Sequence, residues 1–491
     1  MSRRKRRAQR SSNQRRFRAN RRQRNANVLR SLVYWLIPVG GLFLKSEFHG
    51  NIKWNPESLI IQAVIWSWQD ARYVTDAFSA ACGICDDLKL EHVAKTYTAF
   101  LNALSRYADQ FVPVLRRRLQ ALMEEVAGRF WRNGNWVLLA VDGSRTTAPR
   151  TVSNETAFCA PNYGKGKTAR YRKKKSKGMR RRKNERNKPQ PQGPQIWITL
   201  IWHMSLRLPW TWRLGPSNSS EREHLKQILK EEKLPANMLL CGDAGFVGYE
   251  LWKAIQDAQG DFLIRVGANV SLLREHADYQ QLQDGEVLCW PKGKIASGEK
   301  PLRLRLVRVK IGKTRMWMLT NVLSRKKLTI RQIVQFYRMR WGIEVEFRGL
   351  KQTLDKHTLR CRNSTRAYVE LDWSIRAMAF AELLAMREQT HRTNRNGTSK
   401  NKSPDPKDRS LAETMRALRT AMRAPHRAAE PGLLLALAQA RVQRYRNRTN
   451  KKSRYRPPNP DKKPLGNPKI RKLRREELEK LRELERRSIA A

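Results

Sequence analysis

Three short runs that are apolar at nearly every position decide most of what this chain can fold into: Trp136–Val141 (WVLLAV), Ile196–Trp202 (IWITLIW) and Met238–Gly242 (MLLCG). A strand with one face in water alternates apolar and polar residues, whereas a strand covered on both faces reads as a continuous apolar run. The first run ends in Asp142-Gly143-Ser144 and the third in Asp243, so each reads as a buried strand feeding a turn. Helical periodicity surrounds them. Over residues 55–130 apolar positions recur at threes and fours, as in Leu59, Ala63, Trp66 and in Leu115, Leu119, Leu122, Val126. Pro56 stands where a helix start tolerates its missing N–H. Ser220 followed by Glu221 and Glu223, then Leu225, Ile228 and Leu229, is a helix start, and the next helix is read over Tyr249–Ala258. Strands dominate 262–323, where Leu302, Leu304 and Leu306 alternate with Arg303 and Arg305 to give one apolar and one basic face. Helices return from Ile330 to about Arg387. The class is α/β.

The charge names a class of partner. Lys and Arg number 101 against 43 Asp and Glu, a formal net charge of +58. Such an excess repels itself unless a polyanion neutralises it, and nucleic acid does so with release of counterions. A ribosome-associated protein would carry the same balance. The charge is concentrated in a basic arm at 1–30, a basic loop at 164–188 and a basic tail over 388–491. The tail is expected to be disordered except for helices near 410–422 and 468–487. Ser31–Leu44 imitates the core of a signal peptide, but Pro38 and two glycines break it, and it is short of the roughly 20 residues that span a bilayer. It reads as an interior segment, with no membrane association. Six cysteines in so long a chain fit a reduced, cytoplasmic setting. Cys82 and Cys85 form half of a zinc ligand set with no second half and read as buried helical residues.

One stretch combines chemistry with spacing. If Tyr337 through Lys351 is a helix, Arg340, Glu344 and Lys351 project at about 300°, 340° and 320° from Tyr337, a single stripe about 60° wide. A carboxylate flanked by a phenol and two cations suits a place where metal and phosphate meet; a solvated helix with a favourable charge pair has the same spacing.

The spacing Tyr337-x2-Arg340-x3-Glu344-x6-Lys351 matches the YREK signature of bacterial insertion-sequence transposases, and YRMRWGIEVEFRGLKQTL resembles their third catalytic box throughout. Val141-Asp142-Gly143-Ser144 resembles the first box and Gly242-Asp243-Ala244-Gly245-Phe246 the second, although many relatives carry Arg where Ala244 stands. The resemblance spans roughly 130–385. It implies an RNase H-like catalytic core over 131–261 and 324–387, preceded by a helical domain over 31–130. Asp142 and Asp243 are 101 residues apart, as are Asp243 and Glu344, which leaves room for the β-strand insertion this group carries, read here as 262–323.

The resemblance also implies the chemistry. Asp142, Asp243 and Glu344 would hold two Mg²⁺ ions, with Mn²⁺ a possible substitute, for cleavage of DNA at transposon terminal inverted repeats and strand transfer into target DNA. Mg²⁺ prefers oxygen donors, which is what three carboxylates offer. Tyr337, Arg340 and Lys351 would hold phosphates near the cut end. Trp317, late in the insertion, would stack a base flipped out of the duplex, although it also reads as a core residue. The expected protein is a homodimer on paired ends, cytoplasmic and associated with the nucleoid. A catalytically inactive, transposase-derived DNA-binding protein is the alternative. No GxxxxGK[ST] loop or HExxH helix competes.

Overall fold

The computed structural model describes residues 25–44, 47–159, 193–275, 283–312, 314–395, 405–426, 432–442 and 465–489. Most of the basic arm, the basic loop at 164–188 and residues 443–464 of the tail lie outside the described residues.

The helical periodicity before residue 130 is realised as helix α1 (residues 25–36), then α2 (Pro56–Trp68), α3 (Val74–Asp87), α4 (Tyr97–Arg106) and α5 (Ala108–Ala127). Asn55 caps α2 by accepting from the Ser58 N–H, and Pro56 takes the first helical position. The apolar 31–44 segment is interior over its first half, with Leu32, Val33, Leu36 and Ile37 buried, whereas Val39 and Leu44 are exposed. Cys82 and Cys85 lie on α3, Cys85 fully buried and Cys82 half-buried. No helix among the described residues is long and apolar enough to cross a membrane.

The three apolar runs become strands β1 (Val137–Thr147), β2 (Gln195–His203) and β4 (Met238–Gly242). Helix α6 (Val152–Phe158) follows β1, and β3 (Leu208–Pro216) follows β2. Helix α7 (Glu221–Glu231) precedes β4, and α8 (Tyr249–Asp257) precedes β5 (Asp261–Val266). The β-rich stretch supplies β6 (Ser271–Arg274), β7 (Asp284–Cys289), the short α9 (Lys292–Ala296), β8 (Leu302–Ile311) and β9 (Thr314–Thr320). Helices α10 (Ile330–Arg340), α11 (Gly342–Arg348) and α12 (Ser364–Arg395) come next. The tail adds α13 (Leu411–Arg423), α14 (Leu433–Gln439), strand β10 (Lys469–Lys472) and α15 (Arg475–Ile489).

One ten-stranded sheet collects these strands in the order β10-β6-β7-β8-β9-β5-β4-β1-β2-β3. β1, β2 and β3 form antiparallel neighbours, while β4 pairs parallel with β1 and β5 parallel with β4. The strands of the 262–323 stretch thus prolong the same sheet, joined to it where β9 pairs antiparallel with β5. Helix α12 lies across the middle of the molecule, with Ala377, Phe380, Ala381, Leu383 and Leu384 all buried, and its Ala377 carbonyl accepts from the Trp68 indole of α2 at 2.8 Å.

Four expectations need correcting. Residues 468–487 are not one helix: Lys469–Lys472 form β10, which pairs parallel with β6, and the helix begins at Arg475. A four-residue basic strand has no local signal of its own; the partner strand supplies its hydrogen bonds. The stretch from Tyr337 to Lys351 is not one regular helix either, because α10 ends at Arg340 and a wide π-type turn follows α11 over Gly349–Thr353. Strand β1 does not turn at Asp142-Gly143-Ser144; it runs on to Thr147 because β2 pairs with it along that length. The basic residues of β8 are paired. Arg305 is buried and grips Asp284 through Nε and Nη2 at 2.7 and 2.8 Å, and Arg303 meets Glu275, Glu286 and Glu485.

Candidate active site

Asp142 lies on β1 and Asp243 follows the last residue of β4. The parallel register sets Ala140 opposite Cys241, and continuing it two places sets Asp142 opposite Asp243. Neighbouring strands run about 4.8 Å apart, so the pairing of two buried strands is what brings the two aspartates side by side. The Asp142 carboxylate accepts from the Gly143 N–H at 2.9 Å, and Asp243 accepts from the Gly245 N–H at 2.7 Å.

The third carboxylate comes from α11. Thr329 starts α10 with a capping box, its hydroxyl accepting from the Gln332 N–H while the Gln332 side chain accepts from the Thr329 N–H. Phe336 and Ile333 bury one face of α10, and Tyr337 and Arg340 turn to the acids. After the break at Trp341, Gly342 brings α11 against the buried Trp202 ring: a β-carbon on Gly342 would fall 2.7 Å from Cζ3. The Trp202 indole donates to Glu346 Oε2 at 3.3 Å, fixing the next turn of the same helix. Glu346 is buried facing Glu382, and burial with that neighbour raises its carboxyl well above the usual range. Glu344, half-exposed, is left facing the sheet.

Arg340 holds the acids together. Its guanidinium lies 3.3 Å from Asp142 Oδ2 and 3.7 Å from Glu344 Oε1, and its side chain is only 8% exposed. It also sits over the Tyr337 ring at 5.3 Å, and its Nε has no hydrogen-bond partner. Burial raises the Asp142 carboxyl, Asp243 and Glu344 raise it further, and the Gly143 N–H and Arg340 pull it back. Burial likewise raises the Tyr337 phenol, with Arg340 and Arg265 opposing. Lys351, carried on the π-type turn, donates to Ser144 Oγ at 2.8 Å, two residues beyond Asp142, and burial lowers its ammonium. The structure therefore gathers Asp142, Asp243, Glu344, Tyr337, Arg340 and Lys351 around the middle of β1 and the end of β4. It does not add Trp317, which lies on β9 with β5 and β4 between it and β1. That ring is half-buried; its Nε1 donates to Asn467 of the tail at 3.0 Å and Arg308 sits over its face at 5.4 Å. It is not a core tryptophan.

One acidic residue was missed. Glu221, read as a first-turn helix acid, turns its carboxylate to Asp142 and Asp243, and burial together with those two charges raises it to about 7 against the pull of Arg145. Ser220 does not cap the helix with its side chain, so the Ser-Glu pair that reads as a helix start serves a different end.

Residues 137–380 match the family described as transposase DDE domain, just under half of the chain. That match supports a DDE transposase. Among solved structures, the cryo-EM structure of a piggyBac transposase synaptic complex with hairpin DNA is similar at 12% identity, covering 86% of this chain and 84% of that one with a TM-score of 0.38. No curated protein matches the sequence. The matched segment runs from the start of β1 into α12, so it contains all six gathered side chains.

Do these residues fit the divalent ions such a domain uses? The donors are hard carboxylate oxygens, the set Mg²⁺ prefers. A buried cation, the Arg340 guanidinium, already bridges two of them. Among the described residues no three acidic, His or Cys side chains stand at coordinating spacing; the carboxylates face one another across Arg340. The donor set and its appetite for positive charge fit the ions.

Proposed function

We propose that the chain is a transposase of the bacterial insertion-sequence type, cutting DNA at transposon ends and joining the freed 3′ end to target DNA, with an RNase H-like catalytic core. The observation that carries this reading is the pairing of Asp142 and Asp243 on adjacent parallel strands with Glu344 returned to them by a later helix. The strand order β3-β2-β1-β4-β5, with only the first three antiparallel, supports the core assignment.

Asp142, Asp243 and Glu344 would hold two Mg²⁺ ions, or Mn²⁺ in their place, and bound ions would activate the attacking oxygen and stabilise the leaving one. Arg340 offers a planar fork for a phosphate oxygen pair, and Lys351 a point charge on the other side of Asp142. Once a phosphate and cations arrive, Arg340 has a partner of opposite sign to exchange for Asp142 and Glu344. Tyr337 stands against Arg340 and orients it. Trp317 offers a half-exposed ring to an extruded base. The basic segments 1–30 and 164–188 would neutralise backbone phosphates without regard to sequence. The protein would act in the bacterial cytoplasm at the nucleoid, at least as a dimer, because two transposon ends must be handled together.

The test is Glu344→Gln. Nicking of supercoiled plasmid or cleavage of a transposon-end duplex should be abolished while DNA affinity stays within a few-fold, because a carboxylate oxygen is lost and every cation is kept. A variant that still cuts removes Glu344 from the chemistry.

A further inference from the structure

Glu221 is the first residue of α7, yet its side chain crosses to the strand that carries Asp142. A β-carbon on Gly143 would fall 2.6 Å from Glu221 Cδ and 2.9 Å from its Cγ. One on Gly245 would fall 3.7 Å from Glu221 Oε2 and 3.0 Å from Asp243 Oδ1. Two glycines, one following Asp142 and one two residues after Asp243, thus leave the space that this one carboxylate fills. Its oxygens reach from the flank of one aspartate to the flank of the other.

What it lacks is a partner. Other enclosed acids among the described residues have a partner: Glu370 meets Lys356, Asp284 meets Arg305, Glu232 meets Arg116, and Glu57 accepts from the Leu42 N–H. Glu221 has no hydrogen bond or salt bridge among the described residues; Asp142 and Asp243 act on it, and Arg145 opposes them without forming an ion pair. Taking an anion partly out of water without a paired cation is costly, and doing so beside like charges adds to the cost. A helix-dipole role does not account for it. A first-turn acid interacts with the dipole from solvent, as the exposed Glu223 does while pairing with Lys226 at 2.8 Å. An arrangement that lowers stability locally, and that two glycines make room for, answers to a cation that arrives from outside.

We propose that Glu221 is a fourth carboxylate of the metal-binding centre, facing the divalent ions together with Asp142 and Asp243 from the α7 side. This rests on the metal-dependent reading of the site. Arg340 and Glu344 come from α10 and α11, so the centre would be closed by acids from two sets of helices instead of one.

Binding of Mn²⁺ alone to the full-length chain, without DNA, tests it by calorimetry. Glu221→Gln should weaken Mn²⁺ binding by about tenfold or more, and Glu223→Gln, two residues on and exposed, should leave it unchanged. Gly143→Ala, which pushes the Glu221 carboxylate aside while leaving every acid in place, should weaken it as well, and decides the matter if Glu221→Gln does not fold. If the folded Glu221→Gln and Gly143→Ala proteins bind Mn²⁺ as the unaltered chain does while Asp142→Asn does not, Glu221 is no ligand and the catalytic reading stands. If Asp142→Asn and Asp243→Asn also bind Mn²⁺ normally, the metal reading itself falls and takes this proposal with it.

Discussion

Replacing Gly342 with alanine should separate the placement of α11 and its Glu344 from the stability of the fold. The added β-carbon would lie 2.7 Å from Trp202 Cζ3 and closer still to Cη2. Ordinary contact begins near 3.4 Å, so at least about 0.7 Å must be given up. Trp202 cannot give it. The ring is 1% exposed, sits on β2 between β1 and β3, and is tied by its indole N–H to Glu346. The helix must yield, and Glu344, two residues on, moves with it. Alanine in a helix gains up to about 1 kcal/mol over glycine, while overpacking costs about 1–3 kcal/mol, so the net loss of stability is about 0–2 kcal/mol. Catalysis is less forgiving, because a displacement of about 1 Å at a reacting centre costs about a hundredfold. Plasmid nicking should therefore fall about a hundredfold while thermal melting shows a cooperative transition close to that of the unaltered chain. Activity within a few-fold at unchanged stability would mean that the Trp202 contact does not set the position of Glu344.

Two further outcomes follow from other parts of the molecule. His203 is buried against Trp131 and Trp210, and burial lowers its imidazole to about 3. The folded chain thus keeps it neutral where the unfolded chain binds a proton below about 6.5, so its contribution is complete above that pH and declines as pH falls toward 3. By pH 4.5 the loss amounts to a few kcal/mol, at about 1.4 kcal/mol per pH unit; His203→Gln should flatten the melting curve against pH between 6.5 and 4.5, and an unchanged slope would refute the buried neutral ring. Trp317→Ala should impair cleavage of pre-nicked transposon ends, with partial rescue when the base to be extruded is missing, since stacking is worth about 1–3 kcal/mol per base; equal impairment on both substrates would assign the ring to packing.

The sheet and the acids were legible because burial writes itself into local sequence. A strand covered on both faces can hold little but apolar residues, and the polar residue that ends such a run, as Asp142 and Asp243 do, stands out. The spacing of Tyr337, Arg340, Glu344 and Lys351 survived a wrong assumption about their backbone. The break at Trp341 and the widened turn at Gly349 depend on partners far along the chain, Trp202 for Gly342 and Leu411 for Gly349, where a β-carbon would meet the Leu411 side chain at 2.7 Å. The same holds for Arg305, neutralised by Asp284 across a strand pair, and for Trp317, whose partner Asn467 is 150 residues away. Glu221 was hidden differently. Its sequence context already had a sufficient explanation as a helix start, and only the two glycines opposite it record the other use.

The place of β10 has a consequence for how the chain is made. Residues Lys469–Lys472 hydrogen-bond to β6, and Leu473 and Leu481 cover Leu273, Leu288 and Trp290. Translation delivers Asp142, Asp243 and Glu344 long before it delivers this strand, and proteins fold as they emerge. Until then β6 presents an unpaired edge beside an uncovered apolar cluster, the surface on which sheets of different chains join. A chain that stopped short of Leu465 would keep Asp142, Asp243 and Glu344 and leave that border open, so a truncated product is expected to aggregate. The completed chain seals that border with a strand bearing Lys469, Arg471 and Lys472, charges that repel another copy arriving at the same edge.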